Sequence, residues 1–448
     1  MIHGQLSQAA AWVDGELLGP DADFRGLAID SRKIEPQQLF VALHGERTDG
    51  HRYVGSALAD GAAGALIESD TGVEGSQIQV SDTLAGIGHL GRAWRERFDL
   101  PVIGVTGSNG KTTVKSMLAA ILGLRRHWLV NRGNFNNEIG VPLTLAELDE
   151  THVGAIVEMG CARPGDIAYL AGLAKPSIGV VTNAAAAHLE GMGTVQKVAA
   201  TKGEMFQALS KDGWAVINAD DDHADFWREL AQGRNIATSG LDNAADVRGT
   251  YSADGDERRL EIRAADWKAD VSLKVPGVHN ARNALAAATA ARIAGASPED
   301  IAHALSQFVA VGGRLDARPQ PGGWLLLEDS YNANPASLAA GISVLLEHPG
   351  ERWLVLGDMA ELGPDAEALH FQAGSTARRQ GVERLFGVGP LSHHAVQAFG
   401  EGGEHFAGKK ELIEALKSRL KSGVVCLIKG SRSSRMEEVS QALTGGNV

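Results

Sequence analysis

The chain has 448 residues, a formal net charge of −13 and 44% hydrophobic residues, too long for a single hydrophobic core and suited to about three globular domains. Its acidic balance argues against nonspecific binding to nucleic acid or acidic membranes. No leader-like start and no apolar run of bilayer length appear, and Cys161 and Cys426 make no disulfide framework. A soluble protein of the reducing cytoplasm is therefore expected, without membrane insertion and with both thiols as buried small hydrophobes.

Residues 1–82 read as a small mixed α/β domain, with a helix at 6–13, strand-like runs at 26–30, 39–43, 64–67 and 77–80, and a helix at 53–59. Ser31 and Arg32 fall in a polar turn after the first of these strands, which by itself is an ordinary turn. Ser81, Asp82 and Thr83 cap a helix over 83–98 that leads into a central domain spanning 83–312.

The central domain opens with an apolar strand at 102–106 followed by Thr-Gly-Ser-Asn-Gly-Lys-Thr-Thr at 106–113. This is the pattern of a phosphate loop: Gly107 and Gly110 allow a tight turn, Lys111 reaches terminal phosphates and the Thr112 hydroxyl faces a magnesium ion. Val105 stands where the strict loop pattern has its first glycine. Further strands are expected at 128–131, 155–158, 178–182, 215–218 and 235–238, separated by helices, which implies a mostly parallel sheet. Alternating runs at 247–251, 259–263 and 271–275, around Gly255-Asp256, read as an antiparallel edge, and a long alanine-rich helix at 280–294 follows.

Residues 313–448 read as a third, Rossmann-like α/β domain. Strands fall at 324–328, 353–356, 384–388 and 424–428, and helices begin near 335, 364, 391, 410 and 433. It carries no G-x-G-x-x-G fingerprint, so no dinucleotide cofactor is indicated.

Ligands of open parallel sheets bind beyond the carboxyl ends of the strands. The phosphate loop, Asn134–Asn137, Glu158 and the 183–188 segment ending in His188 all lie at such ends, and a carboxylate and an imidazole beside a triphosphate suit a magnesium site. Lys202 stands in a helical stretch and alone reads as an exposed surface lysine. His279, Asn280 and Asn283 open the alanine-rich helix, where they could meet an adenine ring.

These segments, with Ala-Thr-Lys-Gly-Glu at 200–204, His-Asn-Ala-Arg-Asn-Ala-Leu at 279–285, Gly-Gly-Arg-Leu at 312–315 and Glu-Asp-Ser-Tyr-Asn-Ala-Asn-Pro at 328–335, resemble in order the motifs of the Mur ligases, ATP-dependent amide ligases of cell-wall synthesis. The resemblance covers nearly the whole chain, and its phosphate loop normally lacks that first glycine. Segments 134–144, 356–363 and 428–436 look like those of members that add D-alanyl-D-alanine to UDP-N-acetylmuramoyl-tripeptide. The resemblance implies a monomer that uses ATP and two magnesium ions through an acyl phosphate.

It implies catalytic roles for Lys111, Glu158, His188 and Lys202, with Thr112 and Glu158 on one metal ion, His188 on a second, and Lys202 carbamylated to help hold it. ATP would meet Gly107, Ser108, Asn109, Gly110, Lys111, Thr112 and Thr113, with His279, Asn280 and Asn283 at adenine, Arg314 at the phosphates and Asp329 at the ribose. The UDP-sugar end would rest on Ser31 and Arg32, and the acyl phosphate near Asn136 and Asn137. The dipeptide would lie near Asn332, Asn334, Asp358, Ser431 and Arg432. A ligase adding the third stem residue, a folylpolyglutamate-type relative and an ATPase switch stay open as alternatives. So does the choice of diaminopimelate or lysine as the third stem residue.

Overall fold

A computed structural model describes residues 1–448 except 46–47, 255–256, 311 and 446–448. The architecture is mixed α/β, built on three larger sheets. The central sheet has nine strands. From one edge, Trp128–Val130, Gly154–Glu158, Val102–Thr106, Ile178–Val181, Trp214–Asn218, Asn235–Gly240 and Val247–Asp254 run parallel, and Glu257–Arg263 and Lys268–Ser272 continue antiparallel. The inner parallel strands, such as Val102–Thr106, Gly154–Glu158 and Ile178–Val181, are buried throughout, as expected where helices cover both faces. The last strands alternate buried and exposed residues, with Leu260 and Ile262 turned inward. The turn expected at Gly255-Asp256 lies outside the described residues.

The strand carrying the phosphate loop sits between Gly154–Glu158 and Ile178–Val181. The chain therefore returns to either side of it, and a crevice forms where the connections diverge. Helix Lys111–Leu122 packs beneath helix Val278–Ile293, whose buried Ala281, Ala284, Ala288 and Ala291 allow a close approach.

The N-terminal sheet has the order Glu16–Leu18, Gln77–Gln79, Gly64–Ile67, Leu39–Val41, Leu27–Ala28. Helix Thr83–Arg95 follows, capped by Asp82, which accepts from the Ala85 amide at 2.9 Å. Its Leu90 and Trp94 join Leu6, Leu66 and Ile78 to Val157 and Ile217 in one continuous core, which fixes the N-terminal sheet to the central one.

The C-terminal sheet runs Asp316–Pro319, Leu325–Asp329, Val424–Lys429, Glu351–Gly357, Arg384–Val388, Gly403–Phe406, parallel except for its first pair. Five short strands depart from the expected set: His3–Gln5, Glu16–Leu18, Asp23–Arg25, Asp316–Pro319 and Gly403–Phe406. Most of their residues are polar or partly exposed, so they lack the apolar run by which the other strands are read. No helix among the described residues is long and apolar enough to cross a membrane.

Candidate active site

A cavity of about 1160 Å³ lies over the carboxyl ends of the central strands and is walled on its far side by the C-terminal sheet. Its lining includes Lys111, Glu158 and His188 from the one, and Arg314, Asp329 and Asn332 from the other.

The phosphate loop is shaped by its neighbour. The Ser108 amide donates to Asn183 O at 2.9 Å, the Asn109 amide to Asn183 Oδ1 at 3.0 Å, and the Thr182 hydroxyl to Asn109 O at 2.6 Å. A Cβ on Gly107 would stand 1.8 Å from Thr182 Oγ1, and one on Gly110, at φ +82°, 2.3 Å from Asn283 Oδ1. Only glycine fits either place. The Ser108 and Asn109 amides are thus engaged by Asn183, while both residues line the cavity. The amides that open helix Lys111–Leu122, from Lys111 to Thr113, have no intrahelical acceptor, and these three residues line the cavity. Lys111 Nζ donates to Gly107 O at 2.7 Å, and burial, with Lys202 next in weight, lowers its pKa to about 8.

Glu158 is buried. Its Oε1 accepts from Asn136 Nδ2 at 2.8 Å, while Oε2 lies 3.1 Å from the ammonium of Lys115, itself bonded to Asn131 O and Gly133 O. The Oε2 contact is an ion pair without hydrogen-bond geometry. Burial opposes ionisation of Glu158, but Lys115, Lys111 and the Asn136 bond outweigh it and hold the carboxyl below its ordinary value. A hard, anionic oxygen with spare bonding capacity fits magnesium. The Thr112 hydroxyl, expected to face that ion, accepts from Arg314 Nη2 at 2.8 Å.

His188 adopts φ +55° and pairs through Nδ1 with Glu361, in the loop after strand Glu351–Gly357 of the C-terminal sheet. Burial and Lys111 lower its pKa against the pull of Glu361. Lys202 is 1% exposed, which corrects its reading as a surface lysine. Its sole described partner is Cys161 Sγ at 3.4 Å. Cys161 is only half-buried and lines the cavity, unlike the buried Cys426.

At the start of helix Val278–Ile293, His279, Asn280 and Asn283 line the cavity together. Asn280 donates to Pro276 O at 2.7 Å and Asn283 to Asn280 Oδ1 at 3.3 Å. Loss of hydration, with Lys429 and Arg282 adding, lowers His279 to about 4. Asp329 is paired with the buried Lys429, and burial raises its carboxyl against that pull. Arg314 stacks on Tyr331, 4.2 Å from the ring centre.

Of the expected dipeptide residues, Asn332 and Arg432 line the cavity and the others do not. Asn334 caps helix Pro335–Glu347 and donates to Asn109 Oδ1 at 2.8 Å. The Asp358 carboxylate accepts from the Leu391 and Ser392 amides, and the Ser431 hydroxyl donates to Asp358 O at 2.7 Å. These groups brace loops of the C-terminal sheet. Ser31 and Arg32 are likewise absent from the cavity wall. Asp30 caps their turn and holds the Arg32 guanidinium, which lowers Asp30 to about 2. Asn136 lines both the main cavity and a second hollow of about 280 Å³ that includes Ile29, and Asn137, whose Oδ1 accepts from the Gly140 amide at 2.9 Å, does the same.

Sequence reasoning missed Lys115, Cys161 and Glu361. Lys115 carried a signal, since it lies one helical turn after Lys111 on the same face. Glu361 lay inside the family-like segment 356–363, but its pairing with a residue 173 positions away was not readable from it.

The profile of the Mur ligase middle domain matches residues 105–291, that of the Mur ligase glutamate ligase domain 313–432, and that of the Mur ligase family catalytic domain 23–92. UDP-N-acetylmuramoyl-tripeptide--D-alanyl-D-alanine ligase of Escherichia coli is 41% identical, with 99% of both chains aligned. Two solved structures from Acinetobacter baumannii, one named MurF and one UDP-N-acetylmuramoylalanyl-D-glutamyl-2,6-diaminopimelate--D-alanyl-D-alanyl ligase, superpose with TM-scores of 0.93 and 0.88. Each is 31% identical and covers 98% of both chains. MurF ligase from Thermotoga maritima in complex with ADP superposes at 0.84, with 27% identity over 94% of this chain and 97% of its own. With its profiles matched in order and a relative aligned from end to end, the chain belongs to the Mur ligase family.

Proposed function

We propose that the chain joins the amine of D-alanyl-D-alanine to the terminal carboxyl of UDP-N-acetylmuramoyl-tripeptide, with ATP as phosphoryl donor. The observation that carries this reading is one cavity bringing together Lys111, Glu158 and His188 from the central sheet and Arg314 and Asp329 from the C-terminal sheet. In this reading residues 1–82 take the UDP-sugar end, 83–312 hold ATP, and 313–448 take the dipeptide. The setting we infer is the cytoplasm, in peptidoglycan precursor synthesis that serves cell shape and division.

A carboxylate repels an amine and has no leaving group, so it needs activation. A carboxylate oxygen of the stem attacks the γ-phosphorus, the bond to the β-γ bridging oxygen breaks, and ADP departs. The dipeptide nitrogen then attacks the acyl carbon, phosphate leaves with the bonding electrons, and the nitrogen sheds a proton. Phosphoryl transfer asks the protein chiefly for position and charge. Lys111 and the helix amides after it hold the phosphates, and Arg314 adds a cation from the opposite wall. Asn136, already oriented by Glu158, lies where it can hold the stem carboxyl. Thr112, Glu158, His188 and a carbamylated Lys202 would hold magnesium, which when bound neutralises charge on the transferring group.

Carbamylation suits Lys202 because its ammonium is buried without a carboxylate partner among the described residues and presses on the like charge of Lys111. Carbon dioxide adds to the neutral amine and turns that repulsion into attraction. Lys202→Ala should lose most activity, and removal of bicarbonate should slow the parent enzyme. Indifference to both would refute the carbamate.

The decisive assay measures phosphate release with UDP-N-acetylmuramoyl-tripeptide, ATP and D-alanyl-D-alanine, each omitted in turn. Release must require all three. Hydrolysis of ATP without both peptide substrates would instead identify an ATPase switch, and release with a single amino acid as acceptor would identify a relative that adds another residue.

A further inference from the structure

The loop that follows Glu158 ends in a pair of opposite charges that the reaction above leaves unused. Arg163 lines the cavity, yet its guanidinium has no ion pair, hydrogen bond or ring contact among the described residues. Asp166, which lines the same cavity, accepts from the Ala162 and Arg163 amides at 2.7 and 2.8 Å, both through Oδ2, so Oδ1 has no hydrogen-bond partner among the described residues. The two side chains do not pair with each other. An unpaired cation and a half-used carboxylate, side by side on one cavity wall, are a receptor for a group that carries both charges itself.

The loop is rigid. Glu204 accepts from the Gly165 and Ala168 amides, each at 2.9 Å, and lies on helix Val195–Gln207, the helix of Lys202. Lys202 in turn touches Cys161 on the same loop, and Ala162 O packs against Gly191 in the short helix after His188. Arg163 and Asp166 are thereby held at a set position from the groups proposed to meet the reacting carboxyl.

We propose that Arg163 and Asp166 recognise the side-chain end of the third stem residue, and that this residue is diaminopimelate. The inference rests on the amide-ligase reading. Diaminopimelate ends its side chain in an ammonium and a carboxylate on one carbon. Arg163 takes the carboxylate through its planar fork, and Asp166 Oδ1 takes the ammonium. Lysine ends in the ammonium alone, leaving the guanidinium without a partner and placing a like charge beside it. The reacting carboxyl and the recognised end belong to one residue joined by a short methylene chain, which matches a loop running from Glu158 directly to Arg163.

The test is phosphate release by the full chain with D-alanyl-D-alanine and UDP-muramoyl-tripeptides ending in either diaminopimelate or lysine. The parent should favour diaminopimelate in kcat/KM by about tenfold or more, the size of one charge-assisted contact. Arg163→Ala should collapse that ratio, mainly through KM for the diaminopimelate stem, and Arg163→Lys should restore part of it. The side chain has no partner to lose, so the fold should survive, which circular dichroism checks. Equal use of both stems by the parent, or an equal loss on both in Arg163→Ala, overturns the assignment while leaving the ligase reading intact. Turnover of neither stem overturns both.

Discussion

Glu158 and Lys115 face each other at 3.1 Å with side chains 2% and 5% exposed, so neutralising one strands the charge of the other. Lys115→Met should destabilise the protein by about 3–5 kcal/mol in chemical denaturation. Glu158→Gln should cost a similar amount and also lower kcat about a hundredfold or more, since it removes a charge from the reacting centre. Retention of near-parent stability by both variants would show that the pair is solvated. His279 allows a second check. It is lowered to about 4 in the folded chain against 6.5 as its ordinary value. As pH falls from 6.5 to 4 the unfolded chain takes up a proton that the folded chain refuses, so stability is lost through that window. Above it the ring is neutral in both states and adds no slope. The effect is at most about 3 kcal/mol, and His279→Asn should flatten that part of the stability profile.

At the scale of elements, the phosphate loop depends on an approach with no spare room. A methyl group on Gly107 overlaps the Thr182 hydroxyl, so Gly107→Ala must push the loop off the neighbouring strand end and break the Thr182 to Asn109 bond. KM for ATP should rise about tenfold or more and stability should fall by about 1–3 kcal/mol; parent-like values in titration and denaturation would show that the loop yields without cost. This loop was legible in the sequence because everything that makes it is local: an apolar strand, two glycines, a lysine and a helix. The parallel strands were legible for the same reason, down to matching ends at Val102–Thr106 and Arg384–Val388. Non-local structure was not. Strand Asp316–Pro319 exists because Leu325–Asp329 offers it a ladder, and the bond from Asn334 to Asn109 joins residues 225 positions apart. The charge of Lys202 looked like surface because nothing in its own helix shows what covers it.

For the whole molecule, the two junctions between sheets differ in kind. The N-terminal sheet shares a continuous apolar core with the central one, whereas the buried clusters of the C-terminal sheet contain no residue before Leu315. Among the described residues five polar contacts cross that second junction: Arg314 to Thr112, Asn334 to Asn109, Glu361 to His188, the Glu190 amide to Glu361 O at 3.2 Å, and Glu347 with Arg258 at 3.8 Å. Polar contacts exchange readily for water, so this junction is the one predicted to open and close around substrates. Three of the five end on the phosphate loop, its following helix or His188, so closure there would also assemble the reacting centre and keep water from an acyl phosphate. Asn334→Ser retains a capping oxygen for the helix but loses the reach to Asn109, and so separates the two roles of that side chain. It should leave stability within about 0.5 kcal/mol while raising KM for ATP about three- to tenfold, the weight of one hydrogen bond. Fluorophores on the central and C-terminal sheets should report a longer mean separation than in the parent, shortened again by saturating nucleotide. A pair on the N-terminal and central sheets should not respond. If the first pair is equally indifferent to Asn334→Ser and to ATP, the C-terminal sheet is a fixed wall, and the site is preformed.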